Sequence, residues 1–216
     1  MRAILFDFDY TLADSSAAIE ACFQAGLRGI GLSPGDPEAI RRTIGLSLPD
    51  SLAQVAGERH RARADEFRKH WRALSDRIMV DQTRLFDHVP EALSGLAALE
   101  VRLGIVSTKW RNRIEDVLRR DGLLTHFDVI VGGDDVGDHK PSPEGLLAAL
   151  ARLEVCKEEA LYVGDSVTDA LTARRAEVDF VAVLSGATPR AALEEHRPRV
   201  VLEHVGELVG WLGEGA

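Results

Sequence analysis

Two carboxylates, Asp7 and Asp9, stand two residues apart directly after the apolar run Ala3-Ile4-Leu5-Phe6. A short apolar run reads as a strand buried on both faces. If extension continues past Phe6, both carboxylates point to one side. Like charges held together repel unless a cation or a shared proton relieves them. The pair therefore calls for a metal, an acid/base couple, or both. Gly164-Asp165-Ser166-Val167-Thr168-Asp169 places two further carboxylates four residues apart after another apolar run. On their own, two acids at the start of a helix also suit its macrodipole. Ser107, Thr108 and Lys109 follow Leu103-Gly104-Ile105-Val106, and Lys140 lies in His139-Lys140-Pro141-Ser142-Pro143. The two prolines restrict the backbone around Lys140, which suits a cation that holds a phosphate as a point charge. Clustered carboxylates without His or Cys partners suit a hard cation with oxygen ligands, and Mg2+ is the usual one in phosphate chemistry.

Other phosphate machinery is missing. None of the four lysines follows a glycine, so there is no Walker A loop, and no Gly-x-Ser-x-Gly elbow occurs. A carboxylate remains as the nucleophile, a recognised route to an aspartyl phosphate.

The elements that position these groups follow from periodicity. From Asp14 to about Val80 the pattern is helical, with breaks at Gly31–Pro37, Gly45 and Gly57. Its clearest helix is expected over Glu58–Ile78, where Ala64, Phe67, Trp71, Leu74 and Ile78 form one apolar stripe. The basic residues on its other faces alternate with Asp65 and Glu66, as on a solvated surface. After residue 80, strands and helices alternate. Strands are expected at Leu103–Val106, Phe127–Val131, Ala160–Val163, Phe180–Leu184 and Val200–Leu202. The fold class is thus α/β, a Rossmann-like doubly wound parallel sheet with an inserted helical block. The core takes 1–13 and 82–216, and the insert 14–81. Ligands bind outside the carboxyl ends of such strands, where Asp7, Asp9, Ser107, Thr108, Lys109 and Asp165 all stand.

The 216 residues, 45% hydrophobic and 28% charged, suffice for a full core, and the net charge is −9. That charge disfavours nucleic-acid and anionic-membrane partners. No apolar run is long enough to span a bilayer, and no secretory leader is expected. Cys22 and Cys156 fit no metal or redox motif and are expected to be buried free thiols in a reducing cytoplasm.

The order Asp7-x-Asp9-x-Thr11-Leu12, Ser107, Lys140-Pro141 and Gly164-Asp165-x-x-x-Asp169 resembles the haloacid dehalogenase-like (HAD) hydrolase superfamily. The insert after the first motif looks like the α-helical cap of its phosphoglycolate phosphatase and β-phosphoglucomutase branch. Two departures are Tyr10, where that branch usually has Gly, and Thr108, where relatives often have Asn.

The resemblance implies that Asp7 is the nucleophile and a Mg2+ ligand. It makes Asp9 the general acid/base, with its backbone carbonyl on the metal. Ser107 and Lys140 would bind the phosphoryl group, joined by Thr108 and by Gly45 of the cap loop. Asp165 would ligate Mg2+, and Asp169 would ligate it or orient its waters. The implied activity is a Mg2+-dependent phosphatase acting through an aspartyl phosphate on a small phosphorylated metabolite, with phosphoglycolate as the family-level substrate. The protein would act in the cytoplasm as a monomer or homodimer. The alternatives are a β-phosphoglucomutase-like phosphomutase, a pyrophosphatase, or a binding module that kept the fold. The cap loop Thr43-Ile44-Gly45-Leu46-Ser47 carries no charge, which favours a small leaving group over a second phosphate.

Overall fold

The computed structural model of the chain describes residues 1–214. Six strands form one parallel sheet: β1 (Ala3–Phe6), β4 (Arg102–Val106), β5 (Val129–Val131), β6 (Ala160–Gly164), β7 (Asp179–Val183) and β8 (Val200–Leu202). Their order is β5-β4-β1-β6-β7-β8, so β1 is central, with β4 on one side and β6 on the other. The chain switches direction across the sheet there, and the carboxyl end of β1 becomes the ligand crevice. Ala3 pairs with Arg102 and with Ala160, which brings the ends of all three strands to one level.

Strand alternation divides β1 between two cores. Ile4 and Phe6 face the layer of α5 (Val89–Ala97), α6 (Arg111–Arg120) and α10 (Leu208–Gly213), against Leu93, Leu96, Ile114, Val117 and Leu208. Ala3 and Leu5 face α7 (Glu144–Leu153), α8 (Val167–Ala176) and α9 (Arg190–Glu194), against Leu146, Leu150, Ala173 and Leu193. A strand covered on both faces needs apolar residues on both, which explains the unbroken Ala3–Phe6 run.

The helical insert comprises α1 (Ser16–Gly29), α2 (Pro37–Arg41), α3 (Leu48–Ala56) and α4 (Ala64–Gln82). It is joined to the sheet by the antiparallel strands β2 (Ala13–Asp14) and β3 (Arg84–Leu85). The Ser15 and Thr83 hydroxyls meet at 2.9 Å beside them. The helix expected over Glu58–Ile78 begins instead as a 3-10 segment, Glu58–Arg63, and turns α-helical at Ala64. No side chain of Glu58–Arg63 is buried, so packing does not impose α-helical register on that short stretch. The apolar stripe also divides. Ala64 and Phe67 pack with Phe23, Leu27, Ile40 and Leu52, whereas Trp71, Leu74 and Ile78 are half-buried around Met79, Ala18 and Cys22. Phe23 and Phe67 meet edge to face at 4.8 Å. Gly26 permits this closeness, because a Cβ there would run into the Phe67 ring.

The basic surface of the 3-10 segment and α4 is a solvated face with ion pairs, Arg63 on Glu66 at 2.8 Å and Arg68 on Asp65 at 2.6 Å. Both cysteines are free, but only Cys22 is buried; Cys156 lies on the surface, contrary to expectation. Among the described residues, no helix is long and apolar enough to cross a membrane.

Candidate active site

The ends of β1, β4 and β6 gather the site. Asp7, the first residue beyond β1, is 2% exposed, and its backbone N–H donates to Val163 at 2.9 Å. The chain then turns sharply, with Leu12 and Ala13 N–H groups donating to the Phe8 carbonyl. Within the turn Tyr10 has φ 65°, the left-handed region. Glycine enters that region freely, and an L side chain pays about 1–2 kcal/mol. The departure from glycine noted in the sequence therefore falls where glycine has a conformational advantage.

The carboxylates of Asp7, Asp165 and Asp169 each offer an oxygen within 4.8 Å of the others, and all three are buried. Lys140 Nζ serves the same cluster. It lies 2.8 Å from Asp7 Oδ1 and 2.6 Å from Asp169 Oδ1, and donates to Tyr162 Oη at 3.2 Å. Of the three donors of this ammonium, Asp169 and Tyr162 take two in hydrogen bonds. The approach to Asp7 is an ion pair whose angles fall short of a hydrogen bond, leaving Asp7 Oδ1 buried without a donor.

Burial, opposed by Lys140 and reinforced by Asp169, pushes the Asp7 carboxyl up to about 6. Burial, with Asp169 and Asp7 beside it, also holds Asp165 well above the usual carboxylate range. With all three ionised, the carboxylates around one ammonium would leave two negative charges uncompensated. That donor set, hard oxygens with an orphaned carboxylate oxygen among them, fits a divalent cation.

Asp169 is held on both oxygens. Oδ1 faces Lys140 and Tyr162, and Oδ2 accepts from the Ser166 N–H at 3.1 Å in a capping box at the start of α8. Gly164 is required beside it, since a Cβ there would lie 2.5 Å from Asp169 Cβ. Asp165 Oδ1 accepts from the Thr11 hydroxyl at 3.3 Å.

Asp9 stands apart from this cluster. Its carboxylate is gripped by Lys109 Nζ at 2.9 and 3.2 Å, and the same ammonium reaches Ser15 Oγ at 3.0 Å. Lys109 and Lys140 thus have separate anions. Ser107 is 6% exposed at the end of β4, and its hydroxyl accepts from the Lys109 N–H at 3.3 Å. Thr108 donates to the carbonyl of Gly45 at 3.2 Å, which ties the insert's loop to the sheet.

A cavity opens between insert and sheet, lined by Asp9, Thr108, Lys109, Trp71, Trp110 and Arg113 among others. Arg113 and Tyr162 were not singled out in the sequence. Arg113 falls in a helix whose inward side reads as Ile114, Val117 and Leu118, and Tyr162 reads as an ordinary strand residue.

Residues 4–183 match the haloacid dehalogenase-like hydrolase family. Phosphoglycolate phosphatase of Aquifex aeolicus is 34% identical over 187 residues, covering 86% of each chain. Pyrophosphatase PpaX of Listeria monocytogenes is 32% identical over 209 residues, 97% of this chain and 95% of that one. A crystal structure of a haloacid dehalogenase-like hydrolase from Bacteroides fragilis superposes with a TM-score of 0.91 at 41% identity, covering 95% of this chain and 98% of the other. A match over most of the chain, agreeing with the six-stranded parallel sheet and the acidic cluster at its carboxyl edge, leads to one conclusion: the chain belongs to the haloacid dehalogenase-like hydrolase family.

Proposed function

We propose that this hydrolase is a Mg2+-dependent phosphatase of a small phosphorylated metabolite, with phosphoglycolate, the substrate named for the Aquifex relative, as the leading candidate. One observation carries this: three buried carboxylates share a single ammonium. Mg2+ held by Asp7, Asp165 and the Asp9 backbone carbonyl, with Asp169 orienting its surroundings, would supply the charge that offsets the carboxylates and the incoming phosphoryl group. Asp7 then attacks phosphorus as the bond to the leaving oxygen breaks, and Asp9 gives that oxygen a proton. In the second step water attacks the aspartyl phosphate, loses a proton to Asp9, and frees Asp7 and phosphate. Ser107, Thr108 and Lys140 hold the phosphoryl oxygens, and Lys140 keeps Asp7 in line by its 2.8 Å ion pair. Gly45, fixed by Thr108, brings the insert, residues 14–81, over the site as a cap. Two free thiols support a reducing, cytoplasmic setting for this enzyme.

The test is phosphate release from phosphoglycolate, pyrophosphate, hexose phosphates and p-nitrophenyl phosphate, with Mg2+ and with EDTA. Selective release from phosphoglycolate that EDTA abolishes is the expected result. EDTA-resistant release refutes the metal role. Transfer between positions of a hexose phosphate, without net release, moves the protein to the mutases.

A further inference from the structure

The cavity beside Asp9 holds donors that the chain itself does not satisfy. Arg113, on the first turn of α6, is only 4% exposed. Its guanidinium lies between two indoles, 5.3 Å from the Trp71 ring of α4 and 5.2 Å from Trp110. Nη2 donates to Asp76 Oδ1 at 2.6 Å, whereas Nη1 is buried without an acceptor. The indole Nε1 of Trp71 is likewise buried and unpartnered. Both residues line the cavity, together with Arg68 and His139. Among the described residues that line it, Asp9 is the one carboxylate, and Lys109 already pairs with it.

A buried donor without an acceptor is costly, and a guanidinium presents its donors in a fork suited to an oxyanion. A strut between α4 and α6 would need Nη2 and Asp76 alone; it does not explain two further N–H groups left open at one cavity wall. A neutral leaving group would also supply acceptors, but the open guanidinium N–H donates more strongly to an anion.

Resting on the phosphatase reading above, we propose that Arg113, with the indole N–H of Trp71, is the specificity residue. It binds an oxyanion, carboxylate or second phosphoryl, carried by the part of the substrate that departs. Because Trp71 belongs to the insert and Arg113 to the sheet layer, the anion also joins the two halves of the site.

The test compares wild type with Arg113→Met, Arg113→Lys and Trp71→Phe, each checked for native thermal unfolding. The readout is kcat/KM for phosphoglycolate and for pyrophosphate, each divided by that for p-nitrophenyl phosphate. Arg113→Met is expected to lower the ratio at least about 30-fold, with Arg113→Lys recovering part of it and Trp71→Phe costing about fivefold. The larger fall, with phosphoglycolate or with pyrophosphate, identifies carboxylate or phosphoryl as the anion. A change under threefold, or an equal loss with all three substrates in both Arg113 variants, overturns the proposal. Glycolate and inorganic phosphate are also titrated into the metal-free proteins, following tryptophan fluorescence. Binding that wild type shows and Arg113→Met lacks supports the anion site even if no substrate is hydrolysed, in which case only the phosphatase reading falls. Identical titration curves for the two proteins count against the site.

Discussion

The two walls of the site differ in how far their polar groups are already satisfied. Around Lys140 a dense set of charges is held by the chain itself, with both Asp169 oxygens engaged and Lys140 donating to Asp169 and Tyr162, and Asp7 Oδ1 is the one open acceptor among the described residues there. Around Arg113 the surfaces are aromatic and the open donors await something that the chain does not provide. The first wall is fixed by strand ends and a helix cap. The second is assembled from α4 and α6, two elements that meet only when the insert lies against the sheet. Such a division lets one wall set the reaction while the other sets which molecule undergoes it.

The largest effect should come from the charged wall. Asp7→Asn is expected to lower phosphate release by at least about 10³-fold, with deamidation excluded by mass spectrometry; retention of more than a few per cent of activity removes Asp7 as nucleophile. Lys140→Met leaves three buried carboxylates with no counter-charge. Removing one partner of a buried ion pair costs about 3–5 kcal/mol, so the metal-free variant should melt well below wild type. Mg2+ should recover more stability in the variant than in wild type, measured by thermal unfolding with and without the ion.

Acidity sharpens the contrast further. The Asp7 pKa is raised from 3.8 to about 6 in the folded chain, so the folded state binds this proton more tightly than the unfolded state. The associated stability is present below pH 4 and is lost as pH rises through about 6. At about 1.4 kcal/mol per unit the loss is about 3 kcal/mol. Metal-free Asp7→Asn lacks it. Relative to wild type, the variant should therefore gain stability between pH 4 and pH 7, as read by urea unfolding. An unchanged difference would mean that burial does not raise the Asp7 carboxyl in the folded chain. The smallest effect belongs to the seam between the walls. Thr108→Val removes one hydrogen bond to Gly45, about 1 kcal/mol, and should raise KM several-fold with little change in kcat.

The contrast also explains what could be read from the chain alone. Asp7, Asp9, Ser107 and Asp165 were legible because each stands just beyond the end of an apolar strand, and the parallel fold places those ends together; Asp169 was legible from its spacing after Asp165, in the first turn of the next helix. Arg113 was not legible, because its partners Asp76 and Trp71 come from a helix tens of residues away and its own neighbour Ile114 marks the stretch as core. The pairing of Lys109 with Asp9 and of Lys140 with Asp7 needed the same three-dimensional information. Most secondary structure was legible to within a residue or two; the exceptions are the 3-10 start of α4 and its end at Gln82, four residues past Ile78, the short helix α9, which was not expected, and the two-residue strands β2 and β3. Those strands carry too few residues for a period to show.

Those two short strands have a consequence for how the protein is put together. Ala13 pairs with Leu85 and Asp14 with Arg84, so the chain leaves the sheet and returns to it through one paired stem. Everything between is a loop whose ends are already closed. Closure entropy grows only with the logarithm of loop length, about 0.6 kcal/mol per doubling. Replacing four helices by a ten-residue turn would alter that cost by about 2 kcal/mol at most. The stem therefore acts as a socket: helical blocks of other sizes and surfaces can be exchanged on it while the sheet, with its carboxylates and Lys140, keeps its own geometry.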